Sequence, residues 1–225
     1  MQLDAGLPFK EIIDLSVPIK SQGTPVFPGY PMPLKATMTT LGDTGWLSYL
    51  WSFVEHSGTH VDAPGHVIAG AQLVDKVPLT TYVARGAVLD LTNKQPKSSI
   101  SKDDVTSGVE KAGFEGKLGP GWILLLQMGW AEKAGTPQWL EYPELSVPAC
   151  EAIVGLGVNA VGLDSPSPDY APLPSHKVLL SKGIAIFENL TNLGSVKGKD
   201  FIFVGAPLPL VDGSGSPVRA FALVR

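Results

Sequence analysis

The sequence holds one cysteine, Cys150, in 225 residues, so no disulfide can form within the chain and the fold must rest on its core. A lone thiol also suits a reducing compartment, and a cytoplasmic location is expected. Runs of like charge are missing. Seventeen basic residues stand against 21 acidic ones, scattered, for a formal net charge of -4. That excludes the basic stripe that binds nucleic acid and the polybasic segment that binds an anionic membrane. Long apolar runs are absent as well: none, Trp122 to Leu126 included, comes near the ~20 residues that span a bilayer. Met1 to Gly6 offers neither a basic start nor an apolar stretch, so no signal peptide is expected. Internal repeats and long linkers are lacking too. One domain over residues 1–225 is therefore expected, with 1–8 a loose N-terminal segment.

What the chain does contain is 44% hydrophobic residues and 17% charged ones, a globular composition, punctuated by 25 glycines and 20 prolines. Short runs rich in β-branched and apolar residues, bounded by Gly or Pro, predict strands over 11–15, 47–54, 86–91, 121–128, 160–163, 184–188, 201–204 and 220–224. Helical signals are fewer. Ser101 with Asp104 forms a capping-box pattern that opens a helix ending at Gly113. Ser146 caps a second over 147–156, with Gly157 just past its end, and a third follows Ser175 and stops at Gly183. Strands outnumber helices without regular alternation, which predicts a sheet-dominated α/β fold. The Pro-rich stretches 29–34 and 166–174 are loops suited to walling a cleft.

Histidine is scarce, and its placement is the strongest signal. Of four histidines, three fall in His56-Ser-Gly-Thr-His60-Val-Asp62-Ala-Pro-Gly-His66. On an extended segment His60 and Asp62 project from one face and can reach one ion. His56 shares a helical offset with His60, but Gly58 and Pro64 argue against a helix, and a tight loop turns His56 inward equally well. Two imidazoles and a carboxylate suit zinc, manganese or iron(II) and leave coordination positions open for chemistry. His66, beyond the turn Ala63-Pro64-Gly65, is either a fourth ligand or an acid/base group titrating near neutrality. The fourth histidine, His176, sits near the start of the third helix. Glu188 closes the 184–188 strand, where burial is costly unless the carboxylate is paired or bound to an ion; a solvated strand end accounts for it equally.

Competing chemistries fail on context. A His-Glu-x-x-His protease site would need a glutamate where Ser57 stands. Gly155-Leu-Gly157-Val-Asn-Ala160 fits a loose dinucleotide fingerprint, but a helix precedes it and a strand follows, so it reads as a helix end. No Gly-x-Ser-x-Gly elbow exists, and Cys150 has no histidine nearby in sequence, so it reads as an inert buried thiol.

The motif from His56 to His66 resembles the signature His-x-Gly-Thr-His-x-Asp-x-Pro-x-His of the cyclase family of metal hydrolases, which includes bacterial kynurenine formamidases and isatin hydrolases. The likeness extends to Asp14-Leu15-Ser16, Pro28-Gly29, Gly162 to Ser167, Glu188 to Leu193 and Gly213 to Arg219. It implies a β-rich swivelling β/β/α domain that assembles as a homodimer or homotetramer. It implies one divalent ion, zinc or manganese, on His56, His60, Asp62 and Glu188, and a second shared through Asp62 and Glu188 with His176. His66 becomes the proton donor and acceptor. Where formamidases carry a tryptophan before the early Pro-Gly, this chain has Phe27, which makes Phe27 a substrate contact; Tyr30, Trp46 and Trp51 are further candidates for an aromatic wall. The expected reaction is hydrolysis of the C–N bond of a small aryl amide, either an isatin-like cyclic amide or an N-formylkynurenine-like formamide. Two other readings use the same residues: a metal-dependent lyase or cyclising dehydratase, and a metal-binding protein without turnover.

Overall fold

The computed structural model describes residues 8–225, so all but Pro8 of the expected loose segment 1–8 lies outside the described residues. Strands occur at β1 (Glu11–Asp14), β2 (Leu34–Thr39), β3 (Ser48–Ser52), β4 (His60–Asp62), β5 (Val83–Asp90), β6 (Ser99–Ile100) and β7 (Trp122–Gln127). They continue with β8 (Glu144–Leu145), β9 (Ala160–Leu163), β10 (Ala185–Glu188), β11 (Phe201–Val204), β12 (Gly215–Pro217) and β13 (Phe221–Val224). Helices are the single turn α1 (Leu41–Thr44), α2 (Lys102–Lys111), α3 (Val147–Leu156) and α4 (Pro174–Ser181).

Nine strands form one curled sheet in the order β1-β13-β11-β5-β7-β9-β10-β4-β12. Its centre, β5, β7, β9 and β10, is parallel, and antiparallel strands extend both flanks. Parallel strands covered on both faces need apolar side chains on both, which is why Trp122 to Leu126 runs without alternation. Leu124 and Leu126 face a core shared with α2, α3 and α4 through Val105, Ile153 and Leu179. Ile123 and Leu125 face a second core with Leu15, Phe187 and Phe203. The fold is therefore the expected β-rich α/β type.

The helix boundaries follow their caps. Ser101 and Asp104 make the reciprocal capping box, Ser146 Oγ accepts the Ala149 N–H, and Gly157 ends α3 at φ 72°. The glycine pair there thus closes a helix, as read from the sequence. Strands β2, β4, β6, β8 and β12 lie outside the segments that the sequence pattern predicts as strands. Strand β4 is short and carries polar residues, and β12 is Gly-Ser-Pro, so neither shows an apolar pattern. Among the described residues, strands β2 and β3 pair only with each other, as a hairpin outside the main sheet. No described helix is long and apolar enough to cross a membrane.

Candidate metal centre

Strand β4 builds the floor of the site. Its pleat sends Val61 into the core and turns His60 and Asp62 to the opposite face, as the two-residue spacing predicts. The antiparallel register with β10 sets Glu188 directly across from His60. Directly opposed residues share a face, so an isolated carboxylate at the end of an apolar strand arrives beside the His60 imidazole. Asn189 follows at φ 54° and donates from Nδ2 to the Gly58 carbonyl. Thr59 binds the same junction, donating to the Asn189 carbonyl and accepting from the Val17 N–H.

His56 enters from a turn. Gly58 sits at φ 65°, a conformation open to glycine, and the chain doubles back so that His56 Nδ1 lies 2.7 Å from Asp62 Oδ1. Its Nε2 stands 3.0 Å from Ser214 Oγ, which also donates to Glu55. Gly215 leaves room for this ring: a Cβ there would come within 2.7 Å of His56 Cε1 and 2.8 Å of the Val61 carbonyl oxygen.

His176 arrives on α4, one turn of which lacks an N-cap side chain of its own. The buried Asp169 carboxylate serves instead, accepting the Ser175 and His176 backbone N–H groups and, at 2.6 Å, His176 Nδ1–H. The Nε2 edge of His176 then faces the β4 and β10 residues. It lies 3.5 Å from Asp62 Oδ2 and 3.4 Å from Glu188 Oε1. His60 mirrors it: Nδ1–H donates to the Gly58 carbonyl at 2.9 Å, and Nε2 lies 3.4 Å from Asp62 Oδ1 and 3.3 Å from Glu188 Oε2. Each carboxylate thus offers one oxygen to His60 and the other to His176.

These four separations test the fit of a cation. A charged hydrogen bond between imidazole and carboxylate closes to about 2.7–2.9 Å; the His56–Asp62 pair stands at 2.7 Å and the His176–Asp169 pair is shorter still, at 2.6 Å. The contacts at 3.3–3.5 Å are too long for that. They match the edges of a coordination shell: donors about 2.0–2.1 Å from a tetrahedral ion stand roughly 3.3–3.4 Å apart. His60, Asp62 and Glu188 meet the spacing for a shared ion, and so do His56, Asp62 and His66.

The electrostatics tell the same story. Burial works against a charged His60, yet Asp62 and Glu188 outweigh it and push the imidazole up to about 10. Burial likewise opposes charge on His176, and Asp169, Asp62 and Glu188 together raise it well above the ordinary value. Asp62, against its own burial, is held far below the usual carboxylate range by the surrounding imidazoles of His176, His56 and His60. Buried acids here demand positive charge, and a divalent ion on neutral imidazoles meets that demand.

His66 ends a single 3-10 turn over Pro64–His66, with its ring centroid 4.2 Å from that of His56 and 5.9 Å from that of His176. It is less buried than the other three, and burial lowers its imidazole below the ordinary value. A cavity of about 290 Å³ opens above these groups. Phe27 and Tyr30 line it, as the aromatic-wall reading expects, but Trp46 and Trp51 lie on the exposed hairpin and their place is taken by Trp139. Trp139 is set by a loop that Trp130 Nε1 ties to the Gln138 and Trp139 carbonyls. Cys150 is buried away from the cavity, and burial pushes its thiol up to about 11, the inert state its context predicts.

Comparison with known proteins decides the family. The Cyclase family model matches residues 13–170. A kynurenine formamidase from Salinibacter ruber is 32% identical over 172 residues, 73% of this chain and 74% of its own. The chain belongs to the Cyclase family. An isatin hydrolase from Roseibium aggregatum is 29% identical over 207 residues, covering 78% of this chain and 75% of its own. A solved family structure described as a potential metal-dependent hydrolase with cyclase activity superposes with a TM-score of 0.78 at 26% identity, covering 96% of this chain and 98% of that one.

Within this cyclase fold the sequence pattern gives no role to Asp169, Trp139 or Glu55, and it places Ser214 only in the segment that carries the family likeness. Asp169 had a signal, an acid seven residues before His176 in a Pro-rich approach to a helix start. Trp139 had none, because the loop that aims it is held by tertiary contacts.

Proposed function

We propose that this chain is a metal-dependent hydrolase that breaks the C–N bond of a small aryl amide. The observation that carries this is the division of the Asp62 and Glu188 oxygens between His60 and His176 at coordination-shell spacing. His56, His60, Asp62, His176 and Glu188 would hold zinc or manganese, as one ion or two. For His56 to join, its hydrogen bond to Asp62 Oδ1 must open. A bound cation supplies Lewis acidity, polarising an amide carbonyl and acidifying a water molecule to a pKa of about 7. His66, its imidazole kept neutral by burial, takes up a proton and passes it to the departing nitrogen. Phe27, Tyr30 and Trp139 hold the aryl ring, and Ser167 and Asn189 add polar lining to the cavity. No lysine or arginine is among the described residues lining the cavity, which favours an uncharged cyclic amide, such as the isatin-type substrate in the Roseibium enzyme's name, over a formamide bearing an amino-acid head.

We further infer one domain over 1–225 in the cytoplasm, assembled as a homodimer or homotetramer. The hairpin of β2 and β3 supports the assembly: Leu34, Met38, Trp46, Leu47 and Leu50 are all more than half exposed, and Tyr49, Trp51 and Phe53 add to the surface. The strand register puts Leu34 and Leu50 on one face of the ribbon and Tyr49 and Trp51, beside Lys35, on the other, so a partner would wrap the hairpin to cover both.

Elemental analysis of the purified chain, followed by assays of isatin and N-formylkynurenine opening with and without chelator, tests the function. Metal-free protein that turns over neither compound after reloading would refute it. In isotope-labelled water the hydrolase incorporates label into product, whereas a cyclising dehydratase releases water and does not.

A further inference from the structure

We propose that Asp169 is a positioning residue for the metal centre: it fixes the His176 ring proton on Nδ1 and thereby directs the Nε2 lone pair at the space between Asp62 and Glu188. The inference rests on the metal-centre reading above and adds a residue to it.

The geometry divides the work of the two Asp169 oxygens. Oδ2 accepts the Ser175 and His176 backbone N–H groups, which caps α4. Oδ1 stands 2.6 Å from His176 Nδ1. An ionised carboxylate only accepts, so Nδ1 must be the donor, and in the neutral ring Nε2 is left as the lone pair. Asp169 is 1% exposed, so no water competes for that proton. The two imidazoles facing the carboxylate pair are thus oriented by different means. His60 is fixed by the Gly58 main-chain carbonyl, which no substitution removes. His176 is fixed by a side chain, which can be changed.

Asp169→Asn separates capping from proton placement. Its amide oxygen, placed where Oδ2 stands, still accepts both backbone N–H groups of α4. The opposite orientation would aim an amide N–H₂ at two N–H donors and is disfavoured. The amide N–H₂ then faces His176 Nδ1, which must become the acceptor. The ring proton moves to Nε2, where it blocks the lone pair. Helix and fold are kept; the donor is lost.

The test uses the full chain. Zinc affinity is measured by competition with a chromogenic chelator, beside thermal unfolding of the metal-free protein. The expected result for D169N is near-native unfolding with zinc held 10–100-fold more weakly, the range seen when a histidine ligand loses its outer partner. Equal zinc affinity in a folded D169N protein would reduce Asp169 to a helix cap and overturn the proposal. Should the variant fail to fold, long-range nitrogen–proton NMR correlations of the zinc-loaded native chain decide: His176 protonated at Nδ1 supports the proposal, and a proton at Nε2 ends it. A native chain that binds no zinc or manganese removes the metal reading and this inference together. A native chain that binds zinc, with D169N binding it equally well, removes the inference alone.

Discussion

Glu188 stands across the β4–β10 ladder from His60, and its two carboxylate oxygens part company there, Oε2 lying 3.3 Å from His60 Nε2 and Oε1 3.4 Å from His176 Nε2. Strand β4, far away in sequence, meets the neighbouring α4 and β10 at this one side chain.

Glu188→Gln keeps the size of that side chain and removes its charge and one acceptor oxygen. Metal affinity should fall by more than the 10–100-fold typical of outer-partner loss. Equilibrium dialysis with elemental analysis reads this directly, and native metal content in the variant would exclude Glu188 as a ligand.

His66→Ala should leave metal content intact and lower kcat by about 10²–10⁴. Burial holds the His66 imidazole below the ordinary histidine value, so it is neutral at pH 7 and protonates only in acid. Native activity should therefore fall on the acid side of about pH 6.5, and that limb should be missing in H66A. An unchanged kcat would remove His66 from proton transfer.

Asp164 gives a pH effect on stability rather than on rate. It is buried, accepts the Met128 and Gly129 N–H groups, and burial raises its carboxyl to about 6. A raised acid binds its proton more tightly in the folded state. Its contribution is thus full below about pH 4 and is lost as pH rises toward 6, by on the order of 2–3 kcal/mol. Asp164→Asn cannot titrate, so the difference between native and variant stability should change across pH 4–6 in urea titrations. A flat difference would show that the carboxyl is not raised.

The hairpin prediction concerns mass. Met38→Glu with Leu50→Glu places charge on a surface that the proposed assembly covers. Sedimentation should drop from a dimer or tetramer toward the 23.8 kDa single chain. A native chain already sedimenting at that mass would refute the assembly.

Much of this was legible in the sequence, for local reasons. The helices over Lys102–Lys111 and Val147–Leu156 announce themselves through caps that lie beside them in sequence. The pleat that unites His60 with Asp62 is likewise a two-residue rule. Strands β4 and β12 were invisible because their pairing is tertiary: a Gly-Ser-Pro segment becomes a strand only when β4 lies beside it. Glu188 could not be told from a solvated strand end by its spacing, since its value lies in the register across to His60. Trp46 and Trp51 misled for the same reason. Aromatic residues near a predicted strand do not say which side of the molecule that strand will reach.

With the proposed ion held by these residues, the wide sequence separation of the donors would make the molecule's durability a function of its supply of metal. An unfolded chain cannot gather His60, His176 and Glu188, so an ion held by them favours the native state alone, by about 2.7 kcal/mol when free ion stands at a hundred times its dissociation constant. Starved of metal, two facing acids are left to be neutralised by protonated rings, and the same chain becomes a softer target for proteases.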